Sequence, residues 1–312
     1  MSEQNPHPVV VAVGHDEMDA ALLYAAGEVT RLGCGLHLVQ FVQVVPDGPE
    51  TVLVDVTDAQ QVGRQRLHAA ISHARCLIGD RTTLTSELVL GGIVPALVAA
   101  ARDARMVVLQ RREPSRIRRV VTRSVVSGVA AYTPAPLVSV PASWSVDRAP
   151  GERPTVAVGV DVVERAEEIL RAGVDAARAR AATLHVLHTW GFPDASEDIR
   201  MTRRDGHRAP RATAEIFAAL NRIGDLATGV PLRIDAPHLN PADALVQASR
   251  ASDLVVLGRS DPLAPLGSEL GPVARAVLAE AACPVMLMDP RTPHHRSGQH
   301  RAAAHPAGRD AS

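Results

Sequence analysis

The residues with the clearest chemical potential lie between Leu254 and Val285. Gly258 ends a short apolar run, Leu254 to Leu257, and Gly271 precedes Pro272 and a helical pattern. Glycines between a strand's C-terminal end and a helix's N-terminal end let the backbone approach a phosphate. The helix's unpaired N–H groups and its dipole favour that anion. Arg259 and Ser260 follow Gly258 and can add a charge and a hydroxyl. Asp261 opposes a phosphate directly, although a carboxylate there can hold a Mg²⁺ ion that bridges phosphates. Pro272 has no N–H, so one amide of an anion cradle is missing. Asp161 and Asp16 each follow a short valine-rich run. A carboxylate at that place can meet a ligand at the carboxyl end of a parallel sheet, or simply cap a helix.

These residues need strands and helices in alternation to bring them together, and the chain supplies that pattern twice. Apolar runs at 9–13, 36–45, 84–90, 106–109 and 137–140 alternate with helical periodicity at Ala59–Ile78, Pro95–Ala104 and from near Ser124. Residues 141–153 are polar and proline-rich, and then the unit restarts. Val156-Ala157-Val158-Gly159 repeats Val11-Ala12-Val13-Gly14, and Leu184-His185-Val186 repeats Leu36-His37-Leu38. Val255-Val256-Leu257 falls on Val107-Val108-Leu109, and Pro284 on Pro136. Two tandem α/β copies follow, over residues 1–141 and 154–290, joined by a linker at 142–153. Residues 190–211 read as a polar, charged flap, and 291–312 as a disordered tail rich in Arg, His, Ala and Pro. His294, His295, His300 and His305 in that tail imply no fixed metal geometry.

Composition closes off several kinds of chemistry. The 312 residues contain no lysine, so all 33 basic side chains are Arg. That excludes a Walker A loop and Schiff-base catalysis. No nucleophile elbow, HExxH or CxxC occurs, which argues against an active enzyme beyond weak ATP hydrolysis. A net charge of −1 and 2% aromatic residues argue against nucleic acid as a partner. No apolar run approaches the ~20 residues of a membrane span. Three scattered cysteines and the absence of a signal-peptide layout fit a reducing, cytoplasmic setting.

The stretch VVLG, then Gly271, RAVL and CPV, resembles the nucleotide loop of the universal stress protein family. The family pattern is Gly, two residues, Gly, nine residues, Gly, then Ser or Thr. Gly258 and Gly271 keep its spacing, while Asp261 and Pro272 depart from it. The resemblance implies two doubly wound domains, each a five-stranded parallel sheet of order 3-2-1-4-5 flanked by helices. It also implies that ATP or AMP, with Mg²⁺, is bound mainly by the second copy. There Asp161 would reach the adenosine, and backbone atoms at His188-Thr189 the adenine. In the first copy Gln40-Phe41 takes that place. Gln110, Glu113 and Arg123 stand where the glycines belong, and only Ser124 is kept. Asp16, Phe41, Arg111, Arg112, Arg123 and Ser124 would form a vestigial nucleotide or anion site. Arg111, Arg112, Arg116, Arg118, Arg119 and Arg123 make the loop a basic patch, which suits a phosphorylated ligand, an acidic partner or RNA, or else is a solvated loop or forms ion pairs with acidic groups of the second copy.

Fifth strands pair in this family, so 137–140 and 285–288 are expected to pair within one chain, with a homodimer of such units as a further step. Two functions follow from these readings. One is a nucleotide-binding stress regulator with little turnover. The other is a nucleotide-free interaction module that acts on an unknown protein partner through the Arg-rich loop. His185 and His188 invite a catalytic reading, but a histidine satisfied within the sheet is the simpler one.

Overall fold

The structure is a computed structural model. It describes residues 7–14, 18–42, 56–111, 119–133, 135–146, 149, 151–189, 208–224, 228–259 and 270–289. Asp16, Arg112, Ser260, Asp261, most of the expected flap and the tail lie outside the described residues. The side chains of Arg123 and Ser124 lie outside them too.

The strands are β1 (Val9–Val13), β2 (Leu36–Val42), β3 (Leu84–Leu90), β4 (Met106–Arg111) and β5 (Leu137–Pro141). The second set is β6 (Thr155–Gly159), β7 (Thr183–Leu187), β8 (Leu232–Asp235), β9 (Leu254–Gly258) and β10 (Val285–Met288). They form one ten-stranded sheet of order β3-β2-β1-β4-β5-β10-β9-β6-β7-β8. Each half has the expected order, 3-2-1-4-5, with every pair inside it parallel. The halves join where β5 meets β10 antiparallel, Val138 opposite Met286. The apolar fifth-strand edges are thus buried against each other, which removes a site for edge-to-edge aggregation.

Helices α1 (Asp19–Leu32), α2 (Val56–Ile78), α5 (Glu167–Ala179) and α6 (Arg208–Ile223) cover one face. Helices α3 (Ile93–Ala100), α4 (Arg119–Tyr132), α7 (Pro241–Ser249) and α8 (Pro272–Glu280) cover the other. Because both faces are covered, the central strands are continuous apolar runs rather than alternating ones. Val9, Val10 and Val11 are fully buried, as are Val156, Ala157 and Val158. Helix α4 begins at Arg119, five residues before the expected start, so part of the basic loop is helical backbone. Arg and Val carry no helix-breaking geometry, and the apolar residues Val120 and Val121 extend the pattern N-terminally.

Close packing of α5 on β6 depends on a glycine. A Cβ at Gly173 would come within 2.3 Å of Val158 Cγ2 and 3.3 Å of Leu184 Cδ1. Val158 is β-branched and fully buried, so it has little freedom to yield. Gly173→Ala is therefore expected to destabilise by about 1–3 kcal/mol, although Ala is the better helix former. Urea unfolding of the two proteins measures the sign directly.

Candidate functional site

The C-terminal ends of β6 and β9 diverge on either side of the point where strand order reverses, and a cavity of about 280 Å³ opens between them. Its walls are mostly aliphatic: Val162, Ile169, Leu187, Leu245, Leu257 and Val273. Polar groups are few. Asp161 and Arg165 come from the turn after β6, and Thr189 follows β7. Gly258 ends β9, while Gly271 and Pro272 start α8. Five of the six expected second-copy residues, Asp161, Thr189, Gly258, Arg259 and Gly271, therefore line one cavity.

At two glycines of this cavity a side chain would crowd the wall. A Cβ at Gly159 would lie 2.5 Å from Leu257 Cδ2 and 3.1 Å from both methyls of Leu245. A Cβ at Gly258 would stand 3.0 Å from Ile169 Cδ1. Gly271 has open space at its Cβ position, and it sits in extended backbone as the N-cap of α8. Its N–H donates to the carbonyl of Arg259 at 3.3 Å, which draws the two ends of the loop together.

Arg259 differs from its expected role. The guanidinium is buried and directed away from the cavity, into the first half. Nη1 donates to Ala130 O at 2.9 Å and to Thr133 O, and Nη2 donates to Ala135 O. Burial lowers its pKa to about 10, so it remains charged at neutral pH. What Arg259 gives the cavity is its main chain, since the charge is spent on three carbonyls at the C-terminal end of α4.

At the same place the first half carries larger side chains among its described residues. Gln110 stands where the second half has Gly258, and its Oε1 accepts from Ala21 N at 3.1 Å. Ala21 corresponds to Ile169, so a smaller wall residue makes room for the larger side chain. Met18 replaces Ala166 just before the helix, is buried, and brings its sulfur to 3.4 Å from Gly14 N. Gln40 Nε2 donates to the carbonyl of Phe41 at 3.1 Å, so a backbone acceptor expected to face a ligand is already engaged. Arg111 likewise turns into the other half, donating to Leu278 O at 2.6 Å and to Ala281 O.

His185, His37 and His188 have partners in the sheet or its adjoining turn. His185 Nε2 meets Asp235 Oδ2 at 2.8 Å across the β7–β8 pair, and His37 faces Glu87 at 3.4 Å across β2–β3. Burial pushes the Asp235 carboxyl up, but hydrogen bonds from His185 and Arg233 outweigh this and hold it below its ordinary value. His188 bonds the carbonyl of Val160 at 3.0 Å and so braces the turn that carries Asp161. The cysteines Cys34, Cys76 and Cys283 are free thiols, and burial pushes the Cys283 thiol up to about 12. Among the described residues no cluster of His, Cys, Asp or Glu has the makings of a metal site. No helix among them is long and apolar enough to cross a membrane.

A family model described as the universal stress protein family matches this chain twice, over residues 6–141 and 152–288. The chain belongs to the universal stress protein family. A universal stress protein of Mycobacterium tuberculosis is 29% identical over 291 residues, covering 90% of this chain and 96% of its own. One of Mycolicibacterium smegmatis is 27% identical over 296 residues, with 90% and 97% coverage. Among solved structures, a universal stress protein of Archaeoglobus fulgidus superposes with a TM-score of 0.63 at 14% identity, covering 90% of this chain and 96% of its own. At that identity the likeness speaks for the fold, which repeats the tandem universal stress arrangement along nearly the whole chain. The strand-order reversal gives the cavity its position but not its full lining. Ile169, Pro241 and Leu245 come from helices whose residues carry only a packing pattern in sequence, and Arg165 from a short 3₁₀ turn.

Proposed function

We propose that this protein is a stress-response regulator that binds an adenine nucleotide, AMP or ATP, through its second half, with little or no turnover. The observation that carries the reading is the slot at the ends of β6 and β9, kept open by Gly159 and Gly258 while its counterpart in the first half is filled. Aliphatic walls on both sides suit a flat heteroaromatic base, and Asp161 suits ribose hydroxyls. On this reading Thr189 would stand beside the base and Arg165 would offer positive charge to a phosphate. The first-turn amides of Val273 and Ala274 would serve the same anion, since Pro272 contributes none.

The test is direct. Freshly purified protein is denatured and its released small molecules are separated with mass detection, and stripped protein is then titrated with AMP and with ATP plus Mg²⁺. Nucleotide is expected in the wild type, and Asp161→Ala is expected to weaken binding about tenfold or more, the loss of one charge-assisted hydrogen bond. An absence of binding up to about 1 mM of either nucleotide sinks the reading, because a weaker site contributes little specific free energy. The interaction-module reading would then stand. One observation favours it: the Arg259 guanidinium and the Gly271 amide are both engaged inside the protein.

A further inference from the structure

We propose that the first half, whose own site is filled, holds the pocket of the second half in shape, with Arg259 as the positioning residue. The expected effect on ligand affinity rests on the nucleotide reading above; the expected effect on pocket geometry does not.

The main chain of Arg259 ties the pocket together. Its N–H donates to Met288 O at 2.9 Å, at the end of β10, and its carbonyl receives Gly271 N–H at the start of α8. The direction of that main chain is fixed by the side chain, which is buried and spans the carbonyls of Ala130, Thr133 and Ala135. Those carbonyls belong to the last turn of α4 and the segment entering β5, where helical partners run out and a cation is favoured. A planar guanidinium is suited to such a span because its donors diverge in one plane. The antiparallel β5–β10 pair makes this possible by setting the end of α4 beside the end of β9.

The arrangement is reciprocal in structure but not in consequence. Arg111 stands 148 residues before Arg259, and its acceptors Leu278 O and Ala281 O stand 148 residues after Ala130 and Thr133. Each half therefore caps the other's last helix with an arginine from the end of its fourth strand. Arg111, however, leaves a site plugged by Gln110 and Met18. Arg259 leaves the cavity between β6 and β9. The two arginines are thus a built-in control pair: both join the halves, and one of them also shapes the pocket.

The experiment compares full-length Arg259→Met and Arg111→Met. Hydrogen exchange without ligand is followed at residues 271–275, the start of α8, because Arg111 bonds carbonyls at the other end of that helix, and AMP is titrated into each protein. Both variants are expected to unfold more easily. Arg259→Met is expected to speed exchange at 271–275 about tenfold and to weaken AMP about tenfold, whereas Arg111→Met stays within about threefold on both. Equal effects of the two variants at 271–275, or no effect of Arg259→Met there, would overturn the proposal. If Arg259→Met does not fold, Arg259→Lys enters the same comparison with the same directions expected, since one ammonium lacks the planar fork. A wild type that binds no AMP but keeps the exchange contrast removes the nucleotide reading and leaves the positioning role standing.

Discussion

Replacing Arg180 by Met is expected to cost the whole protein about 3–5 kcal/mol, the range for breaking a buried ion pair from one side. Arg180 ends α5 in the second half, and its Nη2 is bonded to Glu28 Oε1 on α1 in the first half. Both side chains are buried, at 6% and 3% exposure. The same nitrogen reaches the hydroxyl of Tyr24 at 3.2 Å, and Tyr24 packs edge-on against Trp144 with ring centroids 5.7 Å apart. Burial raises the Tyr24 phenol far above its ordinary range, so it stays neutral and serves as a fixed polar group. After the substitution Glu28 retains Arg31 at 2.9 Å, but Arg31 is 35% exposed and compensates only in part. Removing both charges, Glu28→Leu with Arg180→Met, is expected to recover most of the loss, because no buried charge is left unpaired. Urea unfolding of the two single variants and the double variant gives the coupling energy as a cycle. A coupling near zero would show that the pair is exposed to water in solution and does not pin the halves.

That prediction depends on contacts that no short-range pattern encodes, and this marks the boundary of what could be read from the residues alone. The repeat of VAVG and of LHV, the strand runs and the alternation with helical periodicity were legible, because each is a local consequence of burial on a regular backbone. The placement of Asp161, Thr189, Gly258 and Gly271 around one cavity was also legible. Ends of parallel strands near the strand-order reversal converge by topology. The direction of the Arg259 side chain was not, since it is decided by the antiparallel union of β5 with β10, far apart in sequence. A glycine-loop arginine reads as a phosphate ligand until the neighbouring helix end is known. The partner of His185 was hidden for a similar reason. Asp235 lies 50 residues away, and only the β7–β8 register sets His185 beside β8, opposite Arg233, within reach of it. The plug in the first half was half legible. Gln110 in place of a glycine was evident, but its fit required Ala21 and Met18, whose significance appears only when α1 and α5 are superposed on the repeat.

The plug leads to the second large effect, a site gained rather than lost. Gln110→Gly combined with Met18→Ala restores to the first half the residue types that keep the second-half cavity open, Gly258 and Ala166. Removing a buried Met side chain costs about 2–5 kcal/mol when the space stays empty. The Ala21 amide also loses its acceptor, although water can reach a helix's first turn more easily than its middle. The double variant is therefore expected to be markedly less stable than wild type, and to regain part of that loss on adding AMP, because a ligand that fills the new space stabilises the folded state by mass action. On the nucleotide reading proposed above, calorimetric titration should then count two AMP molecules per chain where wild type counts one. The same titration also separates the two elements that close the first half. If stability falls but the count stays at one, the side-chain plug is not the whole obstacle, and the glycine-poor segment from Gln110 to Arg123 is what denies the ligand its phosphate contacts.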